Sequence, residues 1–336
     1  MSIIIPAFNA ASRIGNCLAA VLEQAKGHDA EVLVIDDGST DSSADVIRRF
    51  PEVRLITQPN AGPAAARNRG VTDATGEVIL YTDDDCIPAP GWLEAMLRPF
   101  ADPDVIGAKG AYRTRQASVI ARFVQIEYED RYRRMKAQPS IDFVDTYSAA
   151  FRRESFVEMG GFDTSFRVAC AEDAELSYRM SSRGKMIFVP DAIVYHSHPS
   201  TLSHYLKKKY KFAFWRVLAV RRNPRKIIHD SHTPQLMKLQ VFLGPALLIA
   251  VSFDLTLRPR LPVTLLVVGG FLGSTLPFAK RTIVKDRVVG LLSPALLAMR
   301  ACAQLLGLIA GLFHAFRRTE SKRNRDNAKT EVQSAV

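Results

Sequence analysis

Three long apolar segments, roughly 235–257, 261–279 and 288–313, occupy the end of the chain. A bilayer crossing takes about 20 predominantly apolar residues, so each of the three is long enough to be a span. Buried core helices are the other use of such runs, but three in succession in one tail are hard to place in a soluble core. The chain is therefore expected to be divided. What precedes these segments folds in water, and the segments themselves enter or lie on a membrane.

Charge refines that division. Lys280, Arg281, Lys285 and Arg287 follow the second segment, which suits two spans returning the chain to the cytoplasm. A third full span would export Arg317, Arg318, Lys322, Arg323 and Arg325. The third segment also carries Ser293, Arg300 and Gln304 on one helical stripe, which can face another helix or an aqueous cleft, or let the helix lie along the interface. Two spans plus one interfacial or re-entrant helix is the preferred reading. Ahead of the spans, "SHYLKKKYKFAFWRVLAVRRNPRK" mixes positive charge with aromatics, as a helix lying on anionic lipid would. The expected divisions are a water-soluble domain over 1–200, a basic amphipathic juxtamembrane segment over 201–232, transmembrane or interfacial helices over 233–316, and a disordered basic tail over 317–336.

The formal charge of +11 over 336 residues points to an anionic partner: nucleic acid, nucleotide or acidic membrane. No recognised nucleic-acid module is present, so a nucleic-acid partner is not expected. Cys17, Cys86, Cys170 and Cys302 are scattered without a CxxC pair or a disulfide framework, in keeping with a reducing compartment. The opening "MSIIIPAFNA" has no basic stretch and breaks at Pro6, so no secretory signal is predicted.

The front of the chain alternates short apolar runs with helical spacing. "SIIIP", "EVLVIDD", "VRLIT" and "EVILYT" read as strands, with helices over Ala11–Gln24 and "GPAAARNRGVTDA" between them. That order predicts an α/β fold with a mainly parallel central sheet. Ligands of such sheets bind beyond the carboxyl ends of the strands. Here that edge carries Pro6 to Asn9, Asp36, Asp37 and the triplet Asp83, Asp84 and Asp85. Three adjacent carboxylates repel one another unless something positive shares the site.

"IIIPAFNA", "EVLVIDDGSTD", "AGPAAARNRG", "YTDDDCIPAPGWL", "GGFDTSF", "EDAELSYR" and "VYHSHP" occur in the order seen in family 2 glycosyltransferases, which the chain resembles over about residues 1 to 205. The resemblance implies a GT-A nucleotide-sugar-binding domain that transfers a sugar with inversion. It implies a Mg2+ or Mn2+ ion held by Asp85 and Asp83, with His196 completing the site, and Asp84 meeting the ribose or sugar of the donor. Pro6, Ala7 and Phe8 would line the base pocket, Asp37 would accept from the base, and Arg67 would meet donor phosphate or base. Within "AEDAELSYRM", Asp173 would be the catalytic base and Glu172 would orient it or the acceptor. The family's pattern is broken at Ala10, where an acidic residue is common, and at Ser148, where an Asn is common.

The expected partners are a UDP-, GDP- or dTDP-linked sugar donor, a lipid-linked or glycan acceptor, and the membrane, with the catalytic domain on the cytoplasmic side. A processive polysaccharide synthase is the closest alternative, but its QxxRW motif has no match in "KFAFWRV". A membrane-bound scaffold that binds nucleotide without catalysis is the alternative of another class.

Overall fold

A computed structural model describes residues 1–166, 171–222, 231, 233–257 and 262–334. The chain divides into two compact units, one built on residues 1–201 and the other on the helices from residue 202 and from residue 235 onward. Residues 223–230 of the expected juxtamembrane segment lie outside the described residues.

The first unit is a sheet covered on both faces. Strands β1 (Ser2–Ala7), β2 (Glu31–Asp36), β3 (Val53–Thr57) and β4 (Val78–Thr82) are joined by helices α1 (Ile14–Ala25), α2 (Ser43–Ile47) and α3 (Pro63–Asp73). Strand β5 (Ile87–Pro88), helix α4 (Trp92–Leu97), strand β6 (Val105–Arg113) and helix α5 (Val119–Lys136) follow. Strand β7 (Ser148–Arg152), helices α6 (Arg153–Glu158) and α7 (Glu172–Met180) and strand β8 (Lys185–Tyr195) complete it. The sheet order is β3-β2-β1-β4-β7-β6-β8-β5. The four strands read first from the sequence, β3-β2-β1-β4, are all parallel. Strand β7 enters antiparallel between β4 and β6, which makes the whole sheet mixed.

Period-two alternation fixes the faces of β1. Ile3 and Ile5 pack with Ile14, Leu18 and Val21 of α1, whereas Ile4 packs on the other face with Leu33, Ala64 and Val71. On that face α3 lies hard against β1, because a Cβ on Gly70 would come within 2.4 Å of Ile4 Cγ2. Both faces of β1, β2 and β4 are buried, which is why they read as continuous apolar runs, whereas the edge strand β3 is partly exposed. The chain lays down β1, β2 and β3 in one direction and then returns to place β4 on the far side of β1. The crevice beyond β1 and β4 is therefore the topological switch point, where open α/β sheets bind ligands.

The second unit consists of helices α8 (Leu202–Arg222), α9 (Gln235–Leu257), α10 (Val263–Lys285) and α11 (Arg287–Ser334). Three of its segments, Gln235–Leu257, Val263–Lys285 and Arg287–Ala315, are long and apolar enough to cross a membrane. Asp254 accepts from the backbone N–H groups of Val263 and Thr264 at 2.8 Å each, which ties the end of α9 to the start of α10. The polar stripe of α11 faces another helix: Arg300 donates to Gln240 of α9 at 2.5 Å, and Gln240 donates to Ser274 Oγ of α10 at 3.1 Å. Helix α11 continues to Ser334, through the polar stretch whose composition predicts disorder. Its Arg, Lys, Glu and Ala residues favour helix without supplying an apolar stripe.

Candidate active site

The ends of β1 and β2 are level, with Ala7 opposite Asp36. Past them, Phe8 is 45 % exposed and presents an open ring at the crevice. Asn9 adopts a left-handed φ of 47°, a conformation Asn tolerates better than most residues, and its side-chain oxygen accepts from Thr40 N–H at 2.8 Å. That contact laces the loop after β1 to the loop after β2. Pro6 and Ala7 stand where the resemblance puts them, at the last turn of β1. Asp37 is turned inward instead of toward the crevice: its carboxylate accepts from Gln58 Nε2 at 2.7 Å and from the N–H groups of Ala61 and Gly62 at 2.9 and 2.8 Å. It therefore shapes the entry to α3.

Each of the three aspartates after β4 faces a different group. Arg13 grips Asp84 with two parallel hydrogen bonds of 2.7 and 3.0 Å, a bidentate pair. Burial pushes the Asp84 carboxyl up from its ordinary pKa, and Arg13 works against that shift. Asp83 accepts from Arg67 Nη2 at 3.0 Å. Asp85 stands 3.3 Å from His196 Nδ1. The mutual repulsion of the triplet is thus met by separate groups on α1's approach, on α3 and after β8.

Arg67 is the link between this turn and the start of α7. Only 4 % of its side chain is exposed, and its other terminal nitrogen donates to Glu172 at 2.9 Å. Burial opposes the charge, but Asp83 and Glu172 together outweigh it and hold the guanidinium protonated. Glu172 also accepts from the Ala171 N–H, which fixes it at the helix start. Next to it, the half-buried Asp173 accepts from Ala174 N–H at 2.7 Å. Burial, then the charge of Glu172, then that of Asp145 push the Asp173 carboxyl well above the ordinary aspartate range. A carboxylate so placed is a stronger base than a solvated one.

Two further residues belong to this region and were not singled out from the sequence. Lys109, in the middle of β6, is 1 % exposed; it donates to Asp145 and, at 2.9 Å, to Tyr147 Oη. Its ammonium also lies over the Tyr147 ring, 4.6 Å from the centroid. Burial lowers its pKa, against the pull of Asp145. The Asp145 loop is fastened to α7 because Ser177 Oγ accepts from Val144 N–H at 3.0 Å. The one available signal was "VIGAKGAYR", a lone lysine inside an apolar strand, which has to find a buried partner. Arg13 gave no such signal.

His196 and His198 point to different places. His198 Nε2 lies 3.1 Å from Gln125 Oε1 in the interior, whereas His196 turns to Asp85. The His196 side chain is 10 % exposed, and its Nδ1 is buried without a hydrogen-bond partner, since the approach to Asp85 is not aligned as one. Asp85 is 37 % exposed, and its oxygen, His196 nitrogen and Cys86 sulfur lie within 4.8 Å of one another. An unpartnered imidazole nitrogen facing an accessible carboxylate fits a divalent cation, and the carboxylate oxygen suits Mg2+ and Mn2+ alike. Burial holds the Cys86 thiol well above its ordinary pKa, so it adds little for a hard ion.

The mixed sheet, with its crevice at the switch point between acidic residues after β4 and an acidic helix start, resembles the fold of GT-A glycosyltransferases. Residues 2–160 match the glycosyl transferase family 2 model, and that part of the chain is a family 2 glycosyltransferase domain. The chain is 26 % identical over 247 residues to the pre-mycofactocin glycosyltransferase of Mycobacterium tuberculosis, covering 70 % of this chain and 50 % of that one. It is 27 % identical over 224 residues to the glycosyltransferase AglE of Haloferax volcanii, covering 63 % and 71 %. The chain thus spans about half the length of the mycobacterial relative. In fold it resembles the mannosyltransferase PcManGT of Pyrobaculum calidifontis, solved with GDP-Man and Mn2+, with a TM-score of 0.61 at 21 % identity over 93 % of this chain and 87 % of that one.

Proposed function

We propose that this glycosyltransferase moves a single sugar, with inversion, from a nucleoside diphosphate donor to a lipid-linked or glycan acceptor at a membrane. The observation that carries the reading is the buried Arg67, which joins Asp83 of the donor-side turn to Glu172 beside Asp173. One guanidinium thereby holds the two halves of a transfer site in fixed register.

In this reading Asp173 accepts the proton of the acceptor hydroxyl. The hydroxyl oxygen bonds to the anomeric carbon as the bond from that carbon to the diphosphate breaks, and the electron pair leaves with the diphosphate. Glu172 and Arg67 hold Asp173 in place. Phe8 offers a face for the base, and Arg13 keeps Asp84 turned to the crevice. Asp85 and His196, with Asp83 alongside, would hold Mg2+ or Mn2+, which supplies neutralising charge to the leaving diphosphate when bound. The Mn2+ and GDP-Man of the archaeal mannosyltransferase support a diphosphate donor and a divalent ion. The three apolar helices support membrane attachment, and Lys280, Arg281, Lys285 and Arg287 after the second of them support a cytoplasmic catalytic unit by the positive-inside rule.

The test is a calorimetric titration of the full chain in detergent with UDP, GDP, dTDP and CMP, each with and without Mn2+. Metal-dependent binding of one diphosphate, lost in Asp85→Ala, is expected. Binding of no nucleotide by folded protein would overturn the reading.

A further inference from the structure

Helix α8 carries Lys207, Lys208, Lys209 and Lys211 close together, with Arg216 and Arg221 further on. It lies backbone against backbone with α11. A Cβ on Gly307 would meet the Tyr210 carbonyl oxygen at 2.3 Å, and one on Gly311 the Phe214 carbonyl oxygen at 2.5 Å. Arg221 Nη1 donates to the Ala315 carbonyl at 3.1 Å. Rising numbers on one helix match rising numbers on the other, so the two run in the same direction. Small residues at the contact allow that close approach.

This pairing fixes the level of the charges. With Tyr210 beside Gly307 and Phe214 beside Gly311, the lysines and Arg216 stand at the level of residues 304–313 of α11. The stretches Leu202–Arg222 of α8 and Arg287–Ala315 of α11 contain no Asp or Glu. Lys207 and Lys211 are exposed. So are the apolar side chains Leu306, Ile309, Leu312 and Phe313 of α11. Phe214 and Trp215, with ring centroids 5.3 Å apart, sit by His314 at the same level. Aromatic residues of this kind favour the lipid–water boundary. A crossing by α11 along its full apolar length would carry the cations of α8 into hydrocarbon with it, together with Arg300.

We propose that α8 and residues 302–315 of α11 lie together in the headgroup layer of an anionic bilayer, with Lys207, Lys208 and Lys211 on lipid phosphate and apolar side chains among the acyl chains; Lys209 is buried against Tyr205 and takes no part. Helix α11 then does not cross, and the chain crosses twice, through α9 and α10. The partner is an anionic lipid surface, chosen because exposed lysines and exposed apolar side chains stand together on stretches without Asp or Glu. The inference rests on the membrane attachment proposed above.

The full chain is reconstituted into phosphatidylcholine vesicles with or without phosphatidylglycerol, and Trp215 fluorescence is quenched by lipids brominated near the glycerol or near the terminal methyl. The other tryptophan, Trp92, is fully buried in the catalytic unit and gives a constant background. Glycerol-proximal bromines are expected to quench Trp215 at least about two-fold more than deep ones. That excess is expected to grow with phosphatidylglycerol and to lose this growth in a Lys207→Gln, Lys208→Gln, Lys211→Gln variant. In sealed membrane vesicles from the producing cells, epitopes placed before Met1 and after Val336 are expected to be both open to protease or both protected. Protein that floats with the vesicles but shows deepest quenching by methyl-end bromines, or epitopes on opposite sides, overturns the proposal and leaves membrane attachment standing. Quenching indifferent to phosphatidylglycerol overturns the lipid-phosphate contact. Failure to float with any vesicle overturns the membrane reading itself.

Discussion

The two units of this chain handle buried and clustered charge in opposite ways. In the catalytic unit three described cations at the site each have a carboxylate beside them: Arg13 with Asp84, Arg67 with Asp83 and Glu172, Lys109 with Asp145. In the helical unit, α8 and the apolar part of α11 hold cations and no carboxylate at all. The first pattern fixes geometry, because a desolvated charge with a short hydrogen bond can move little. The second sets the exposed Lys207 and Lys211 beside exposed apolar side chains, on stretches that contain no Asp or Glu. A fold can therefore use the same residue types to lock a site in one region and to seek a surface in another.

The largest effect that would sharpen this comparison is on Asp173. Asp173→Asn is expected to lower kcat by roughly 10²–10⁴-fold while leaving nucleotide binding intact. Measured kcat within a few-fold of the parent would refute its role as base. The same variant should not lose stability. The folded state raises the Asp173 pKa, so folding favours the protonated form; stability falls as pH rises from the ordinary aspartate range through the raised value. At neutral pH the Tm of Asp173→Asn should therefore equal or exceed the parent's, with the difference vanishing in acid. Activity should run the other way, falling as pH drops through a point above the ordinary aspartate range.

Arg67→Met leaves two carboxylates facing each other without their cation. A loss of about 3–5 kcal/mol is expected in denaturant unfolding, the usual result of breaking a buried pair from one side. Lys109→Met should also destabilise, and adding Asp145→Asn should recover part of the loss, because the second change removes the orphaned charge. If the two losses simply add, the pair is not the unit described here. Gly70→Ala, which drives a Cβ into Ile4, should cost about 1–3 kcal/mol by overpacking. The Lys207, Lys208 and Lys211 changes should leave the unfolding of the catalytic unit within about 0.5 kcal/mol of the parent.

Much of the fold was legible because it is written in local patterns. The strands β1 to β4 follow from short apolar runs, the turn after β4 from its aspartates, and the start of α7 from its acidic residues. What was not legible depends on pairing between distant parts. Nothing in "AARNRG" says that Arg67 faces inward and spans from Asp83 to Glu172, and a surface arginine has the same local sequence. Asp37 likewise reads as a site carboxylate until its three donors are seen. The antiparallel entry of β7 is set by its neighbours in the sheet and not by its own residues. The parallel contact of α8 with α11 rests on Gly307 and Gly311, two small residues in an apolar run that on their own mark no partner.

Strand β1 is six residues long and ends at the crevice, with Ile4 on one face and Ile3 and Ile5 on the other. Losing or gaining one residue there would exchange the faces and shift Phe8 relative to the aspartate turn. The turn leading into β4, at the opposite edge of the sheet, has a constraint of its own: Gly76 N–H donates to Ser2 Oγ at 2.8 Å, and a Cβ on Gly76 would meet the Met1 carbonyl carbon at 2.5 Å. Both ends of β1 must therefore keep count of their residues: one sets Phe8 against the aspartate turn, and the other seats Ser2 against Gly76.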